Sequence, residues 1–165
     1  MNKLRLAVAM SVLATPCFVN SQVPTPRPRV LVVGFGAAPI ATHQAAANEV
    51  RSGLSLLDSA RTMRVFPKQD VDAVARTSGV EVVGSVEDLR QFGKIVGADV
   101  AIGVTAVTTP DGVRLQITLV YAQEAKAPVR QDASGRDVAS AARDVVSKLA
   151  LDPTLRTHLG LDSSR

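Results

Sequence analysis

The stretch ADVAIGVTAVTTPDGVRLQITLVYA, residues 98–122, limits what this chain can fold into more than any other segment. Two runs rich in β-branched residues, Val100 to Thr108 and Val113 to Tyr121, flank Pro110-Asp111-Gly112. Proline presets φ for a turn, and glycine tolerates positive φ, so the tripeptide joins the runs as an antiparallel hairpin. In the second run Val113, Leu115, Ile117, Leu119 and Tyr121 alternate with Arg114, Gln116 and Thr118, which predicts one buried and one wetter face.

Upstream, VLVVGF at residues 30–35 is continuously apolar, the pattern of a central strand covered on both faces. Ala46, Val50, Leu54 and Leu57 recur at helical spacing and predict a helix over 41–58. A strand is expected at Met63 to Phe66, stopped by Pro67, and then a brief helix marked by Val71, Val74 and Ala75 and ending toward Gly79. Ser85 and Asp88 are spaced as a capping box opening a helix whose inner face carries Leu89, Phe92, Ile95 and Val96, with Gly97 as its stop. After the hairpin, a short edge strand is expected at Ala127 to Arg130, then a helix with Val138, Ala142, Val145 and Leu149 facing inward. The order combines crossovers with a hairpin. It predicts a single compact α/β domain: a mixed sheet with a β-hairpin in the C-terminal half and helices packed against it.

The first residues follow the plan of a secretory signal: Lys3 and Arg5, an apolar run from Leu6 to Ala14, then a polar stretch. That run is too short to span a bilayer as a helix. Residues 1–21 are read as a signal peptide cut between Ser21 and Gln22, residues 22–28 as a proline-rich tether, 29–150 as the domain and 151–165 as a tail. Cys17 is the sole cysteine, and Pro16 stands where a lipidation box has a small residue, so the chain is expected to be exported and periplasmic or outer-membrane associated without a lipid at Cys17. Loss of Lys3 and Arg5 would lower the formal charge from +4 to +2. With no dense basic run beyond PRPR at residues 26–29, and with only 3% aromatic residues, a nucleic-acid partner is not expected. Contact with a membrane surface stays open, but no transmembrane helix is expected in the mature chain.

Chemistry-bearing patterns are sparse. Gly34 and Gly36 begin a dinucleotide-like turn, but Pro39 stands at its third small position, and Asp58 falls at a helix end instead of closing a second strand. His43 and His158 are the only histidines; with no serine in a nucleophile elbow they support neither a triad nor a zinc site, and both are expected to be solvent-exposed. The pairs Glu87/Asp88 and Asp70/Asp72 fall in first turns of helices, where carboxylates meet the helix dipole favourably. Arg51, Arg61 and Arg64 are read as solvated surface charge. Hence no catalytic residue, cofactor or metal is expected.

The segment 85–122 resembles the pattern of TolB amino-terminal-like domains through Leu89, Gly93-Lys94, Gly97-Ala98-Asp99, Gly103, Gly112 and Val113-Arg114-Leu115. The strand ending in Phe35, the Ala-rich helix and MRVFP at residues 63–67 extend the resemblance over roughly Val30 to Leu149. It implies a compact α/β domain of the kind found in curli-secretion, penicillin-binding-protein-activator and flagellar accessory proteins, whose shared role is protein contact without catalysis. Its implied partner is one or more envelope proteins; independently of the resemblance, the uncovered edge beside the hairpin is a place where another chain could add a strand. TolB's propeller repeats have no counterpart here. A second reading places a small anion or metabolite at the mouth near Gly34 to Pro39, where open α/β sheets take ligands. A third, a hydrolase using a carboxylate or histidine, has the least support in the sequence.

Overall fold

The hairpin forms the middle of a five-stranded sheet in the computed structural model, which describes residues 27–37, 41–57 and 63–151 together with 153 and 156. The strands are β1 (Arg29–Gly34), β2 (Arg64–Val65), β3 (Val100–Thr109), β4 (Gly112–Tyr121) and β5 (Val129–Gly135). Between and after them run helices α1 (Ala41–Leu57), α2 (Lys68–Ser78), α3 (Val86–Val96) and α4 (Val138–Leu151). Expectations for the leader, Cys17, the Ser21/Gln22 junction, Pro39, Asp58, Arg61 and His158 lie outside the described residues.

The spatial order is β2-β1-β3-β4-β5. β1 is parallel to both β2 and β3, whereas β4 is antiparallel to β3 and β5, so the sheet is mixed as the sequence predicts. Alternation along the strands divides the core into two layers. Val30, Val32, Val100, Ile102, Val104, Leu115, Ile117 and Leu119 pack under α1 and α4, while Leu31, Val33, Ala101 and Val120 pack under α2 and α3. β1 is thereby covered on both faces, which is why its sequence is an unbroken apolar run.

Local signals account for the element ends. Ser85 accepts from the Asp88 N–H at 3.1 Å while the Asp88 carboxylate accepts from the Ser85 N–H at 3.0 Å, a complete capping box at the start of α3. At its end Gly97 adopts φ 77°, and Ala98 N–H returns to Gly93 O at 2.8 Å. The hairpin turn needs Gly112 for two reasons: its φ is 138°, and a Cβ there would strike the carbonyl of Gly135 on β5.

Three elements differ from expectation. β2 is only two residues long, because the chain turns at Pro67 into a helix that begins at Lys68 and is longer than the brief one expected. Met63, expected to open β2, is instead fully buried ahead of it. β5 runs Val129–Gly135 where an edge strand at Ala127 to Arg130 was expected. Asp132 and Ser134 are poor strand formers, but β4 offers a row of paired groups and Ala133 packs into the core under α4, so tertiary context overrides propensity.

α3 lies close against the sheet because small residues face each other. A Cβ on Gly93 would approach Ala122 Cβ at 2.9 Å and Ala101 Cβ at 3.1 Å. On β3, a Cβ on Gly103 would meet Phe35 Cβ and Cγ at 2.8 Å and Leu89 Cδ2 at 3.0 Å. Overfilling a packed core costs about 1–3 kcal/mol. The variant G103A is therefore expected to lose stability in that range in urea unfolding, with an unchanged m-value.

Candidate functional site

The strands end in a stagger, and the polar features of the domain collect at its steps. β2 stops after Val65, with Phe66 N–H donating to Val30 O at 3.0 Å. The next bond of that parallel ladder would go to Val32 O from residue 68, but that residue already belongs to α2. Arg51 supplies the missing donor from α1. Its Nη2 donates to Val32 O, and its Nη1 to Asn48 Oδ1 at 2.5 Å. The expectation that Arg51 is solvated surface charge is thus corrected: the side chain is 8% exposed, drawn under α1 by a backbone carbonyl that lacks a strand partner. Burial pushes its guanidinium down from the ordinary arginine value, and the charge of Asp72 partly offsets this. Arg64 is exposed, as expected.

One step further along, β3 continues past the end of β1. Phe35 N–H still donates to Val104 O at 2.9 Å, and Thr105 Oγ1 donates to Phe35 O at 2.6 Å. Beyond them the Ala106 N–H donates to His43 Nδ1 at 3.5 Å. His43 is therefore buried at 7% exposure, which corrects the expectation of a solvent-exposed histidine. It sits one turn before Ala46 and Ala47 on the inner face of α1. Desolvation lowers its pKa below 6.5.

Between these steps lies a cavity of about 70 Å³. Gly34 and Gly36, His43, Gln44 and Arg51 form one side; Val71, Asp72, Ala75 and residues 80–83 form the other. Its lining includes both glycines of the mouth marked in the sequence. The segment after α2 forms part of its wall, with Gly36 N–H donating to Val83 O at 3.0 Å. The two buried side chains could not be found from sequence, since helix periodicity marks a face without distinguishing a capping arginine from a solvated one.

The residues of the family pattern are spread over the α3–β3 junction and the hairpin and do not converge on one pocket. Asp99 Oδ2 accepts from the Arg29 N–H at 2.7 Å and lies 3.4 Å from its Nε, pinning the start of β1. Ala98 is fully buried and its carbonyl accepts from Gln123 Nε2 at 3.2 Å. Leu89 is fully buried, Phe35 is half-buried against the same layer, and Lys94 is exposed. Gly93, Gly97, Gly103 and Gly112 serve the close approaches and turns described above. Of the carboxylate pairs, Asp88 is occupied by its capping box, Glu87 pairs with Arg90 at 2.8 Å, and Asp72 pairs with Lys68. Among the described residues no group of three or more His, Cys, Asp or Glu is placed to hold a metal, and no helix is long and apolar enough to cross a membrane.

The second feature is the outer edge of β5. Ala122 N–H donates to Asp99 O at 3.0 Å, which continues the β3–β4 ladder. Because bonded pairs alternate, the even-numbered residues of β4 bond to β3 and the odd-numbered ones to β5. By the same alternation Arg130, Asp132 and Ser134 turn their backbone groups outward. Lys148 on α4 donates to Asp132 O at 3.0 Å and also pairs with Asp144 at 2.8 Å. A lysine covering the middle of an edge strand guards it against indiscriminate pairing.

No protein-family model matches the chain, and no curated protein matches it. Solved structures of similar fold include TolB from Acinetobacter baumannii, at 13% identity and TM-score 0.48 over 78% of this chain and 29% of that one. Lipoprotein GNA1162 from Neisseria meningitidis matches at 14% identity and TM-score 0.47, over 77% of this chain and 100% of that one. The LpoB C-terminal domain from Escherichia coli matches at 16% identity and TM-score 0.46, over 66% of this chain and 83% of that one. The chain is similar in fold to TolB and LpoB.

His43 gives this site a pH signature. Its folded pKa lies below the unfolded value, so the unfolded chain binds the extra proton first as pH falls. The stability it contributes is fully present above about pH 6.5 and is lost as pH falls through the folded value. Asp88 and Asp137 are held below their ordinary value by hydrogen bonds, chiefly from Ser85 and Ser140, so their effects fall in a separate, more acidic window. Urea midpoints measured from pH 7.5 to 5 are expected to decline in the wild type, with a flatter profile in H43Q.

Proposed function

We propose that this chain is an exported, non-enzymatic protein of the bacterial cell envelope that works as a protein adaptor or assembly accessory, receiving an extended segment of an envelope protein along β5. The observation that carries the reading is the open outer edge of β5, which has β4 as its single neighbour in the sheet among the described residues. Strand addition uses such an edge: main-chain hydrogen bonds give affinity, and alternate side chains give selectivity. The exposed end of α4 adds an apolar neighbour to that edge, since Leu151 is 74% exposed beside Gln131, Asp132 and Lys148. An incoming strand would displace Lys148 from Asp132 O and place side chains against Leu151.

Export rests on the sequence: the basic start, the short apolar run and the small residues before Gln22. The resemblance to TolB amino-terminal-like domains supports an envelope setting and a role in protein contact. The proposed organisation is a signal peptide over 1–21, a tether over 22–28, the domain over 29–150 and a tail over 151–165. Intact-mass measurement of the chain recovered from a periplasmic extract is expected to give a polypeptide starting at Gln22 with no lipid.

The alternation along β5 selects the residues for a test of strand addition. A proline at Arg130 or Ser134 removes an outward N–H and leaves the ladder to β4 intact, whereas a proline at Val129 removes an inward one. Cross-linking in the envelope fraction is expected to trap a reproducible partner with the wild type and to lose it with R130P and S134P at near-unchanged melting temperature. V129P is expected to lose the fold along with the partner. Full retention of the partner by folded R130P and S134P would exclude strand addition.

A further inference from the structure

Helices α1 and α4 pack side by side on one face of the sheet, and a groove runs between them on the side away from it. Gly53 draws the two together, since a Cβ there would lie 2.8 Å from Val146 Cγ2. The groove has a volume of about 460 Å³, and Gly53, Ala142 and Val146 lie along it. Leu56, one turn after Gly53, lines it and is 78% exposed. One exposed leucine is ordinary; a leucine beside an open apolar groove is a surface that another helix fits.

The charges on the two rims make this surface complementary to itself. β1 and β5 point the same way, because β1 is parallel to β3 and β4 is antiparallel to both β3 and β5. α1 and α4 follow these strands and run back beside each other in parallel. With Gly53 level with Val146, Glu49 stands one turn back on α1 and Arg143 one turn back on α4, so an acid and a base line the groove at the same height. Both are exposed, and among the described residues neither makes an ion pair. Arg143 Nε donates to Ala139 O at 3.4 Å, and Asp137 feels its charge from outside ion-pair distance. A two-fold axis along the groove lays α1 of one copy over α4 of the other. Glu49 then meets Arg143 of the second copy, twice, and each Leu56 covers the other copy's groove.

α1 and α4 have 17 and 14 residues, so the shared face is about 20 Å long and about 20 Å wide. Such a face buries roughly 1,000 Å² over both copies, the lower bound for a specific interface, and fits a dimer that dissociates at micromolar concentration.

We propose that the α1–α4 face is the interface of a homodimer, with Leu56 as its apolar anchor and reciprocal Glu49–Arg143 pairs fixing its register. The contact does not use β5 and stands independently of the strand-addition reading.

Sedimentation velocity of the purified full chain from about 1 to about 200 µM is expected to show the mass rising from one copy to two. Leu56 is mostly exposed, so L56E leaves the fold intact and is expected to hold the chain monomeric, with an unchanged melting temperature in dilute solution. E49R and R143E each set like charges together twice and are expected to weaken the dimer about tenfold. An equimolar mixture of these two single variants regains both ion pairs and is expected to associate about tenfold more tightly than either alone. The proposal is overturned if the wild type stays monomeric across the range, if folded L56E still dimerises, or if the mixture associates no better than its components. A dimer lost in folded R130P and kept in L56E would put the contact at β5 and overturn it as well.

Discussion

Every buried backbone group must find a partner, and in this sheet the strands are too unequal in length to supply them all. β2 pairs with the first two residues of β1 and then departs into α2, while β3 runs on beyond the end of β1. The rest of the structure at that end answers this stagger. Arg51 completes β1 where β2 is missing, His43 completes β3 where β1 is missing, and residues 80–83 close over the gap. A cation and an imidazole are buried for a structural reason, and a polar niche follows from it.

The two ends of the sheet meet the same requirement differently. At the β2 side, side chains from α1 satisfy the exposed ladder and enclose it. At the β5 side the outward ladder meets no further strand among the described residues, and Lys148 rests on one outward carbonyl. A lysine on a flexible stem is easily displaced, which is what the proposed strand addition at β5 requires. The two sides therefore differ in kind: a partly open polar niche at one, and at the other a sheet edge with no further strand among the described residues.

Much of the fold was legible in the sequence because its signals are local. The hairpin follows from Pro110-Asp111-Gly112 and the alternation after it, α3 from Ser85, Asp88 and Gly97, and the central strand from its uninterrupted apolar run. Where the reading missed, the deciding partner was distant in sequence. β5 extends through Asp132 and Ser134 because β4 and α4 hold it there. Sequence alone leaves Arg51 and His43 solvent-facing, because helical spacing locates a face but not the backbone carbonyl or amide waiting beneath it.

The sequence by itself determined the order of elements, their caps and turns, and the alternation that gives each strand its faces, since these depend on neighbours within about a turn or a hairpin. The tertiary structure alone decided how far each strand pairs and therefore which backbone groups were left over. Those leftover groups, at Val32 and Ala106 on one side and along β5 on the other, are where the candidate sites lie. Strand stagger arises from packing three layers against one another, and no local pattern of residues encodes it.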